Sequence, residues 1–364
     1  MTDYIFSMDA HVLEPKTLWK DKLPAHLKDR ALHTERDDKY VMMVADNKVL
    51  HRMQLGDNNT DDHRVGGSDL VLRIEDMRKD GIDAELIYPN LGTMIPRIED
   101  PELALACVHV YNDWAIDKFA PYPDIFVPSA LIPMVNAEIA LAELKRTHAL
   151  GFRTATLPIK PAGDLRYNDR SLEPVWDYAE ANGIVLTFHI STGLVLVQEK
   201  GPGAAVINYT KLSFENQNLV AYFVCSGVLD RHPKLKIVVV EAGASWIAAL
   251  GERMDESYSA HHYYVSPKLS RKPSEILYSQ VLATFQYDRA CLNNIPITGH
   301  KCMVWASDYP HMEGTFPHSK KVVAELFSDN PEISPDVKAD ILGRTAAELF
   351  GIKPKPLSEH KLAA

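Results

Sequence analysis

Eight short runs rich in apolar and β-branched residues recur along this chain, and most are separated by segments with helical periodicity. The runs cover residues 4–11, 83–89, 125–134, 152–159, 184–190, 235–243, 281–288 and 301–308. Nearly continuous apolar strands that alternate with helices are typical of a parallel sheet covered on its outside, and eight strands can close a barrel. The pattern therefore predicts an α/β fold, a distorted (β/α)8 TIM barrel.

Two segments extend the minimal barrel pattern. Residues 15–80, which include the polar, turn-rich stretch LGDNNTDDHRVGGSD, are predicted to form an insertion after the first strand that acts as a lid. From residue 318 onward, two helical patterns are expected to pack on the outside of the barrel as C-terminal helices. We therefore expect one catalytic domain over residues 1–350 and a tail over 351–364.

Composition and charge limit the classes of function. The net charge is −10 and no block of lysine and arginine occurs, which disfavours nucleic acid as a partner. No apolar stretch reaches the roughly 20 residues that span a bilayer, and the N-terminus lacks the pattern of a signal peptide. The four cysteines form no CxxC pair, which argues against a thiolate metal site. We expect a cytoplasmic protein with a small-molecule substrate and no membrane or nucleic-acid partner.

Acids and histidines lie at the C-terminal ends of four of the predicted strands, where TIM barrels build their active sites. They are Asp9, His11 and Glu14 at the end of the first strand, His189 at the end of the fifth, Glu241 at the end of the sixth and Asp308 at the end of the eighth. A strand points Asp9 and His11 to the same face because they are two residues apart. Imidazole nitrogens and carboxylate oxygens suit iron, manganese or zinc. All six residues are therefore candidate ligands of one or two divalent metal ions, and Asp308 and Glu241 are candidate catalytic residues.

Several of these residues also have a purely structural explanation. His189 in an apolar strand is more often a core histidine, and Glu241 could pair with Arg253. Asp308 before Tyr-Pro could cap a turn. A buried carboxylate without a partner is costly, however, and a metal ion would supply that partner.

Four motifs in this order resemble the amidohydrolase superfamily. They are DAHVLEP (9–15) followed by Trp19, FHISTG (188–193), RHPKLKIVVVEAGASWIAALGERMDE (231–256) and WASDYPH (305–311). The chain is similar in particular to the amidohydrolase-related branch, which includes aminocarboxymuconate-semialdehyde decarboxylase and related aromatic-acid decarboxylases. Two further stretches, EDMRKDGIDAELIYP (75–89) and YNDWAIDKFAPYPDIF (111–126), extend the resemblance. It implies a distorted barrel with a divalent metal, in which His11 and His189 are ligands and Asp308 is a ligand and a proton-handling acid.

The chain departs from the family pattern at two positions. Asp9 replaces the first histidine of a His-x-His pair, and Glu241 stands where the decarboxylases have a catalytic histidine in a His-x-Gly motif. Loss of that histidine argues against a direct transfer of the decarboxylase mechanism. The carboxylate-rich set could instead bridge two metals, and His262 and His311 could complete such a site or support its ligands.

Metal-dependent hydrolysis is the first expectation for the reaction. A divalent metal lowers the pKa of bound water from about 15.7 to about 7, which suits attack on an amide, ester, thioester or lactone. Non-oxidative decarboxylation of an aromatic or unsaturated acid is the first alternative, and oxygen activation by a dinuclear iron or manganese centre is the second. A barrel that has lost a working site is the non-enzymatic alternative.

The sequence does not indicate one particular substrate. The candidate pocket residues are Tyr88, Asn90, Trp114, Lys160, Trp305, His63 and Arg64. Three further aromatic residues suggest an apolar or aromatic ligand, namely Tyr263, Tyr264 and Phe285. The resemblance to the family implies a homo-oligomer, and a hetero-oligomer with a related chain is the alternative.

Overall fold

The computed structural model describes residues 4–55, 65–193 and 199–360, which form twelve strands and fourteen α-helices. The strands are β1 (Phe6–Val12), β2 (His33–Arg36), β3 (Tyr40–Ala45), β4 (Lys48–Gln54), β5 (Ala84–Pro89), β6 (Phe126–Pro128), β7 (Ala130–Leu131), β8 (Thr154–Thr156), β9 (Val185–His189), β10 (Ile237–Val240), β11 (Val281–Phe285) and β12 (Met303–Trp305). The α-helices are α1 (Leu18–Lys22), α2 (Leu70–Asp80), α3 (Pro101–Phe119), α4 (Ala137–Leu150), α5 (Glu173–Ala181), α6 (Ala204–Cys225), α7 (Val228–Arg231), α8 (Trp246–Ala260), α9 (Pro273–Gln280), α10 (Arg289–Asn293), α11 (Ile295–Thr298), α12 (Ser319–Ser328), α13 (Pro335–Ala339) and α14 (Thr345–Leu349). Short 3₁₀ segments cover Ala25–Arg30, Val65–Gly67, Leu91–Arg97, Arg170–Leu172 and Leu357–Glu359, and one π-helical turn covers Asp340–Arg344. Among these described helices, none is long and apolar enough to cross a membrane.

Parallel strands form the wall of the barrel. β1, β5 and β6 pair in one series, and β7 to β12 pair in chain order in a second. Only Ser129 separates β6 from β7, so the two together correspond to the third strand expected from the sequence. All eight predicted strands are present, and the prediction of a (β/α)8 barrel is confirmed.

The barrel closes between β1 and the segment that follows β12. Ala10 and Tyr309 form a parallel bridge, and the amide of His11 donates to the Tyr309 carbonyl at 2.6 Å. The amide of Asp308 donates to the Asp9 carbonyl at 2.9 Å. Closure therefore places the ends of the first and last strands side by side.

Local sequence signals set the ends of the barrel helices. The carboxylate of Asp69 accepts hydrogen bonds from the first turn of α2, and Gly81, with a φ of 81°, ends that helix. Asn136 and Gly151, with a φ of 104°, have the same roles at the two ends of α4. Such caps satisfy the backbone groups that a helix leaves without partners at its ends.

The interior of the barrel is mostly apolar. Its side chains come from the strands that form the wall and include Phe6, Met8, Leu86, Tyr88, Val127, Val185, Val238, Val240, Leu282 and Val304. Ala346, Phe350 and Ile352 join this cluster, and the Phe350 ring lies 5.8 Å from the ring of Phe6. Since Phe6 begins β1, the end of the chain covers the N-terminal opening of the barrel. The sequence predicted two C-terminal helical segments on the outside of the barrel. The first, α12, packs its apolar face into the larger cluster with the barrel helices, whereas apolar residues of α14 and of the residues after it cover the N-terminal end of the barrel.

The segment between β1 and β5 contains a small antiparallel sheet of β2, β3 and β4, followed by α2. Arg97, at the end of the 3₁₀ segment after β5, donates to the carbonyls of Leu50 in β4 and Ser191 after β9, each at 3.3 Å. The inserted sheet thus contacts loops at the C-terminal end of the barrel. Residues 56–64, within the predicted lid, lie outside the described residues.

A polar cluster ties α3 and α4 to β7. The side-chain amide of Asn112 donates to the Leu131 carbonyl at 2.9 Å and accepts from the Leu131 amide at 2.8 Å. Asn112 also donates to Glu143 at 2.7 Å, and Arg146 donates to the same carboxylate at 2.8 Å. Burial alone would raise the pKa of Glu143, but the hydrogen bonds from Arg146, His109 and Asn112 outweigh it and lower the pKa to about 2. The Glu143 carboxylate is therefore charged in the folded protein at neutral pH.

We predict that Glu143→Gln lowers the free energy of unfolding by about 1–3 kcal/mol at pH 7, because a charged acceptor is lost from a buried network. The pKa of Glu143 is lower in the folded chain than its ordinary value of 4.5. The stabilisation is therefore present above about pH 4.5 and is lost as the pH falls toward about 2. Urea unfolding of both proteins between pH 7 and pH 3 measures the difference.

The control for this prediction is Glu138→Gln, which changes an exposed acid on the same helix. It should alter stability by only a few tenths of a kcal/mol. An equal loss of stability in both variants would contradict the prediction. So would a difference in stability between Glu143→Gln and wild type that is the same at pH 3 as at pH 7.

Candidate metal centre and active site

Five of the predicted site residues meet at the C-terminal end of the barrel. Asp9 and His11 lie on β1, and His189 ends β9. Glu241 directly follows β10, and Asp308 lies three residues beyond β12. Asp9, His11, His189 and Asp308 are buried, and Glu241 is partly exposed as a residue although its side chain is only 8% exposed. Four of them offer ligand atoms within 4.8 Å of one another, and Asp308 forms a second such group that shares His11.

Backbone carbonyls orient the two imidazoles. Nδ1 of His11 lies 2.8 Å from the Pro89 carbonyl, and Nδ1 of His189 lies 2.8 Å from the Ile190 carbonyl. A carbonyl only accepts, so each Nδ1 carries a proton and each neutral ring has a lone pair on Nε2. The two Nε2 atoms are 3.0 Å apart. Two lone pairs at that distance repel each other unless a cation or a proton lies between them.

Three carboxylates surround these nitrogens. Asp9 Oδ1 lies 3.5 Å from Nε2 of both histidines, and Asp308 Oδ1 lies 3.5 Å from Nε2 of His11. Glu241 Oε2 lies 3.6 Å from Nε2 of His189. Asp9 Oδ1 and Asp308 Oδ2 are buried and accept no hydrogen bond from any described residue. Buried acceptors without donors beside imidazole lone pairs form a donor set that fits a divalent metal ion.

Burial and mutual repulsion shift the pKa values in this cluster. Burial raises the pKa of Asp308 to about 6, although a neighbouring imidazole opposes the shift. Burial raises the pKa of Glu241 well above its ordinary value, and the charges of Asp308 and Asp9 add to this effect. Burial lowers the pKa of His11, whereas at His189 the nearby Asp9 outweighs burial and raises the pKa. The cluster thus carries too little positive charge for all of its carboxyl groups to ionise.

Glu241 and Asp308 both have left-handed backbone conformations, with φ values of 63° and 56°. Residues with a Cβ rarely adopt this region, so the surrounding structure must hold each acid in place. The loop after Glu241 is anchored by Asp288, whose Oδ2 accepts from the amides of Ala244 and Ser245 at 2.8 and 2.7 Å. Backbone strain of this kind is concentrated at functional sites.

His311 supports Asp308. Its Nδ1 lies 2.8 Å from Asp308 Oδ1, and its Nε2 lies 3.1 Å from Asn90 Oδ1. Burial would lower the pKa of His311, but the contact with Asp308 outweighs it and raises the pKa to about 9. His311 is therefore a cation that pairs with Asp308 beside the other ligands.

Two predicted site residues lie apart from this cluster. Glu14 accepts hydrogen bonds from the amides of Leu91 and Gly92 at 3.0 and 2.9 Å, and burial raises its pKa to about 7. β1 ends before Glu14, so this carboxylate belongs to the next loop and caps the 3₁₀ segment after β5. His262 is exposed beyond α8, where its Nδ1 lies 3.1 Å from the Ser259 carbonyl.

A cavity of about 290 Å³ opens beside the cluster. Asp9 and Glu241 lie in its wall, together with Tyr209, Phe285 and Gln286. The Tyr209 hydroxyl donates to Glu241 Oε1 at 3.1 Å. Glu241 thus faces both the candidate cation ligands and the space that a substrate can enter.

The other residues predicted to line a pocket are dispersed. The Tyr88 ring is buried in the barrel, 5.1 Å from the ring of His189. The remaining ones lie elsewhere: Lys160 and Trp114 border other cavities, Trp305 is buried, and Tyr263 and Tyr264 are exposed. His63 and Arg64 lie outside the described residues.

Three residues that shape the site were missed in the sequence. Tyr209 holds Glu241, and Glu313 lies close enough to Glu241 to share a cation with it. Arg73, on α2, is fully buried and donates to the His11 carbonyl at 2.7 Å. Glu313 could have been found, because it lies in the same loop after the last strand as Asp308. The other two carry no sequence signal, since their roles depend on how distant helices pack.

A barrel with buried histidines and carboxylates at the C-terminal ends of its strands has the architecture of a metal-dependent enzyme. The sequence profile of the amidohydrolase family matches residues 8–352, and the chain belongs to this family. The resemblance seen in the sequence motifs is therefore confirmed, and the chain is an enzyme rather than an inactive barrel.

Solved structures share the fold over the whole chain. An amidohydrolase from Mycobacterium avium subsp. paratuberculosis K-10 is 20% identical with a TM-score of 0.77, and the alignment covers 97% of this chain and 99% of that one. The 5-carboxyvanillate decarboxylase from Sphingomonas paucimobilis is 22% identical with a TM-score of 0.70, over 97% and 100% of the two chains. The 2,6-dihydroxybenzoate decarboxylase from Rhizobium is 18% identical with a TM-score of 0.66, over 96% and 99%. At such identities the likeness establishes a shared fold.

We predict that saturating manganese(II) raises the thermal unfolding midpoint by several degrees. A ligand that binds only the folded state stabilises it by about 2.7 kcal/mol at 100 times its Kd. Asp9→Asn should lose most of this shift, because it replaces the charged oxygen that lies near both histidines. Differential scanning calorimetry with and without the metal measures the effect.

Glu14→Gln is the matched control, since it changes a neighbouring acid that lies outside the cluster. Its own midpoint is expected to fall, but its manganese-dependent shift should remain. The assignment of the ligands is wrong if Asp9→Asn and wild type show equal shifts.

Proposed function

We propose that this protein is a metal-dependent, non-oxidative decarboxylase of a small aromatic or unsaturated carboxylic acid. The observation that carries the proposal is the position of Glu241, a buried carboxyl group that faces the cation ligands and the cavity at once. Decarboxylation replaces a carboxylate by hydrogen and so consumes one proton at carbon. A carboxyl group whose pKa is raised by burial is suited to deliver that proton.

The solved neighbours favour this proposal over the hydrolysis expected first. Several of them are decarboxylases of substituted benzoic acids. A dihydroxybenzoic acid decarboxylase from Polaromonas sp. JS666 and a 5-carboxyvanillate decarboxylase from Novosphingobium aromaticivorans contain manganese. We therefore propose manganese as the metal and a substituted benzoic acid as the class of substrate.

The chain supplies four ligands and one acid to this chemistry. Asp9, His11 and His189 would hold the cation, and Asp308, which lies 3.5 Å from Nε2 of His11, would complete the set in place of Glu241. When bound, the cation supplies positive charge that binds the carboxylate of the substrate and stabilises negative charge during the reaction.

Glu241 transfers its proton to the ring carbon that bears the carboxylate. The carbon–carboxyl bond then breaks, its electron pair returns to the ring, and carbon dioxide leaves. Solvent that enters through the cavity returns a proton to Glu241. The hydrogen bond from Tyr209 to Oε1 fixes the rotation of the Glu241 carboxyl group, which leaves Oε2 toward the ligands. In this scheme Glu241 replaces the histidine that the family pattern has at its position.

We propose one cation per chain. A second cation would fit best among Glu241, Asp308 and Glu313, whose ligand atoms lie within 4.8 Å of one another. That cation would take Glu241 as a ligand and remove it as a proton donor. The number of bound cations therefore separates decarboxylation from reactions that need two metals.

Hydrolysis is the second candidate function. The observation that favours it is the group of Glu241, Asp308 and Glu313, which could hold a second cation. With Glu241 as a bridging ligand, Asp308 would remain as the group that accepts a proton from water. Oxygen activation by a dinuclear centre would need the same second cation.

We predict that wild type and Glu241→Gln each bind one manganese ion per chain, while Glu241→Gln releases carbon dioxide at least about 100-fold more slowly. Elemental analysis gives the metal content. Release of labelled carbon dioxide from a panel of ring-hydroxylated benzoates with a ¹³C carboxylate gives the activity. The variant keeps the shape of the side chain, so a loss reflects the missing proton.

Glu332→Gln, an exposed acid in the C-terminal region, controls for the change of charge and should match wild type. Two ions in wild type that fall to one in Glu241→Gln would support a dinuclear site. Hydrolysis of ester or amide analogues without carbon dioxide release would replace the decarboxylase by a hydrolase.

We also propose that residues 15–80 act as a lid. The contacts of Arg97 with Leu50 and Ser191 support this proposal, because they place the inserted sheet next to the loops around the site.

We further propose that the protein is a homo-oligomer in the cytoplasm. Light scattering after size-exclusion chromatography tests the oligomeric state.

A further inference from the structure

We propose that Gln286 is the hydrogen-bond donor that selects the substrate in the cavity beside Glu241, and that the substrate offers it a neutral oxygen rather than a second carboxylate. This inference rests on the proposed function, since it concerns the acid that the decarboxylase accepts. It assigns Gln286 to recognition and not to the chemical step.

The backbone around Gln286 is held firmly. Gln286 directly follows β11, and its carbonyl accepts a hydrogen bond from Nε1 of the buried Trp305 at 3.3 Å. The amide of Ala306 donates to the carbonyl of the preceding residue, Phe285, at 3.0 Å. The side chain therefore starts from a fixed point in the wall of the cavity.

The side-chain nitrogen of Gln286 is buried and has no hydrogen-bond partner among the described residues. Leaving such a group unpaired is unfavourable, because it has lost its hydrogen bonds to water and gained none in return. Buried polar groups in proteins are usually paired, so this donor is available to an acceptor outside the described chain. Gln286 lines the same cavity as Asp9 and Glu241, and we infer that rotation of its side-chain amide turns this nitrogen toward an acceptor on the substrate, next to the reacting group.

The charges around the cavity decide what kind of acceptor fits. Asp9, Glu241 and Asp288 line it, and none of the described residues that line it is lysine or arginine. The cation held by the ligands would neutralise one carboxylate of a substrate. A second carboxylate would then meet acids without a compensating positive charge, whereas a hydroxyl, methoxy or nitro oxygen would meet the Gln286 donor.

The test measures binding to the full-length, manganese-loaded protein by isothermal titration calorimetry. The probes are 3- and 4-nitrobenzoate, the isopropylbenzoates of matching shape, and the dicarboxylates isophthalate and terephthalate. Wild type should bind at least one nitrobenzoate about fivefold to tenfold more tightly than its isopropyl counterpart, as expected for one hydrogen bond. It should bind both dicarboxylates more weakly than that nitrobenzoate.

Gln286→Leu and Gln286→Met remove the donor with different side-chain shapes, and each should abolish the preference for nitro over isopropyl. Gln286→Glu keeps the shape but adds a negative charge, and it should weaken all the benzoates. Gln54→Glu makes the same change at the exposed end of β4 and should bind as wild type does. Thermal midpoints and manganese content identify any variant that has failed to fold.

A preference that persists in both Gln286→Leu and Gln286→Met overturns the inference. It is also overturned if wild type shows no preference, binds no nitrobenzoate, or prefers a dicarboxylate. Carbon dioxide release is measured separately, so the two proposals can fail independently. A preference that depends on Gln286 without carbon dioxide release would refute the decarboxylase and keep the assignment of Gln286.

Discussion

The closure of the barrel between β1 and the segment after β12 is the constraint on which the site depends. Two backbone hydrogen bonds, from Asp308 to Asp9 and from His11 to Tyr309, fix the register of this closure. A slip of one residue would turn the side chains of a strand to its other face and take the ligands out of the cluster. Arg73 strengthens the same region from α2, because it binds the His11 carbonyl while its charge is paired with Glu85. The wall of the barrel and the site are thus held together by the same contacts.

The electrostatics of the cluster show why a cation belongs there. Two imidazole nitrogens lie 3.0 Å apart, and the buried Asp9 Oδ1 beside both of them accepts no hydrogen bond from the described residues. Burying charges and lone pairs in this way is unfavourable, and the left-handed backbone at Glu241 and Asp308 adds local strain. A metal ion would relieve the repulsion and pair the carboxylates, so metal binding and the stability of this end of the barrel are coupled.

Replacing two imidazoles by carboxylates changes the chemistry that this family's barrel can perform. An aspartate at position 9 would give a bound cation a charged ligand, so the centre would carry less net positive charge than one with a histidine there. A glutamate at position 241 provides a carboxyl group whose pKa burial raises well above its ordinary value. The same group can therefore be an acid next to one cation or a ligand between two. Which of these two roles Glu241 takes depends on how Tyr209 holds the Glu241 side chain and how Asp288 holds the loop that follows it.

The sequence alone was enough to predict the barrel, because the eight apolar runs and the helices between them show which segments of the chain must be buried. It also determined Asp9, His11, His189, Glu241 and Asp308, since the ends of parallel strands converge whatever the details of packing. The sequence did not show where the Glu14 side chain points. Glu14 lies beyond the end of β1, and a side chain in such a loop can point to the end of a neighbouring helix. The sequence predicted that α14, like α12, packs on the outside of the barrel, because helical periodicity shows that a face is apolar but not which surface that face covers. Only the tertiary structure decided that Tyr209 holds Glu241, that Arg73 holds His11 and that Gln286 has no partner. These features depend on how segments that are far apart in the chain pack together, so no local sequence pattern reveals them.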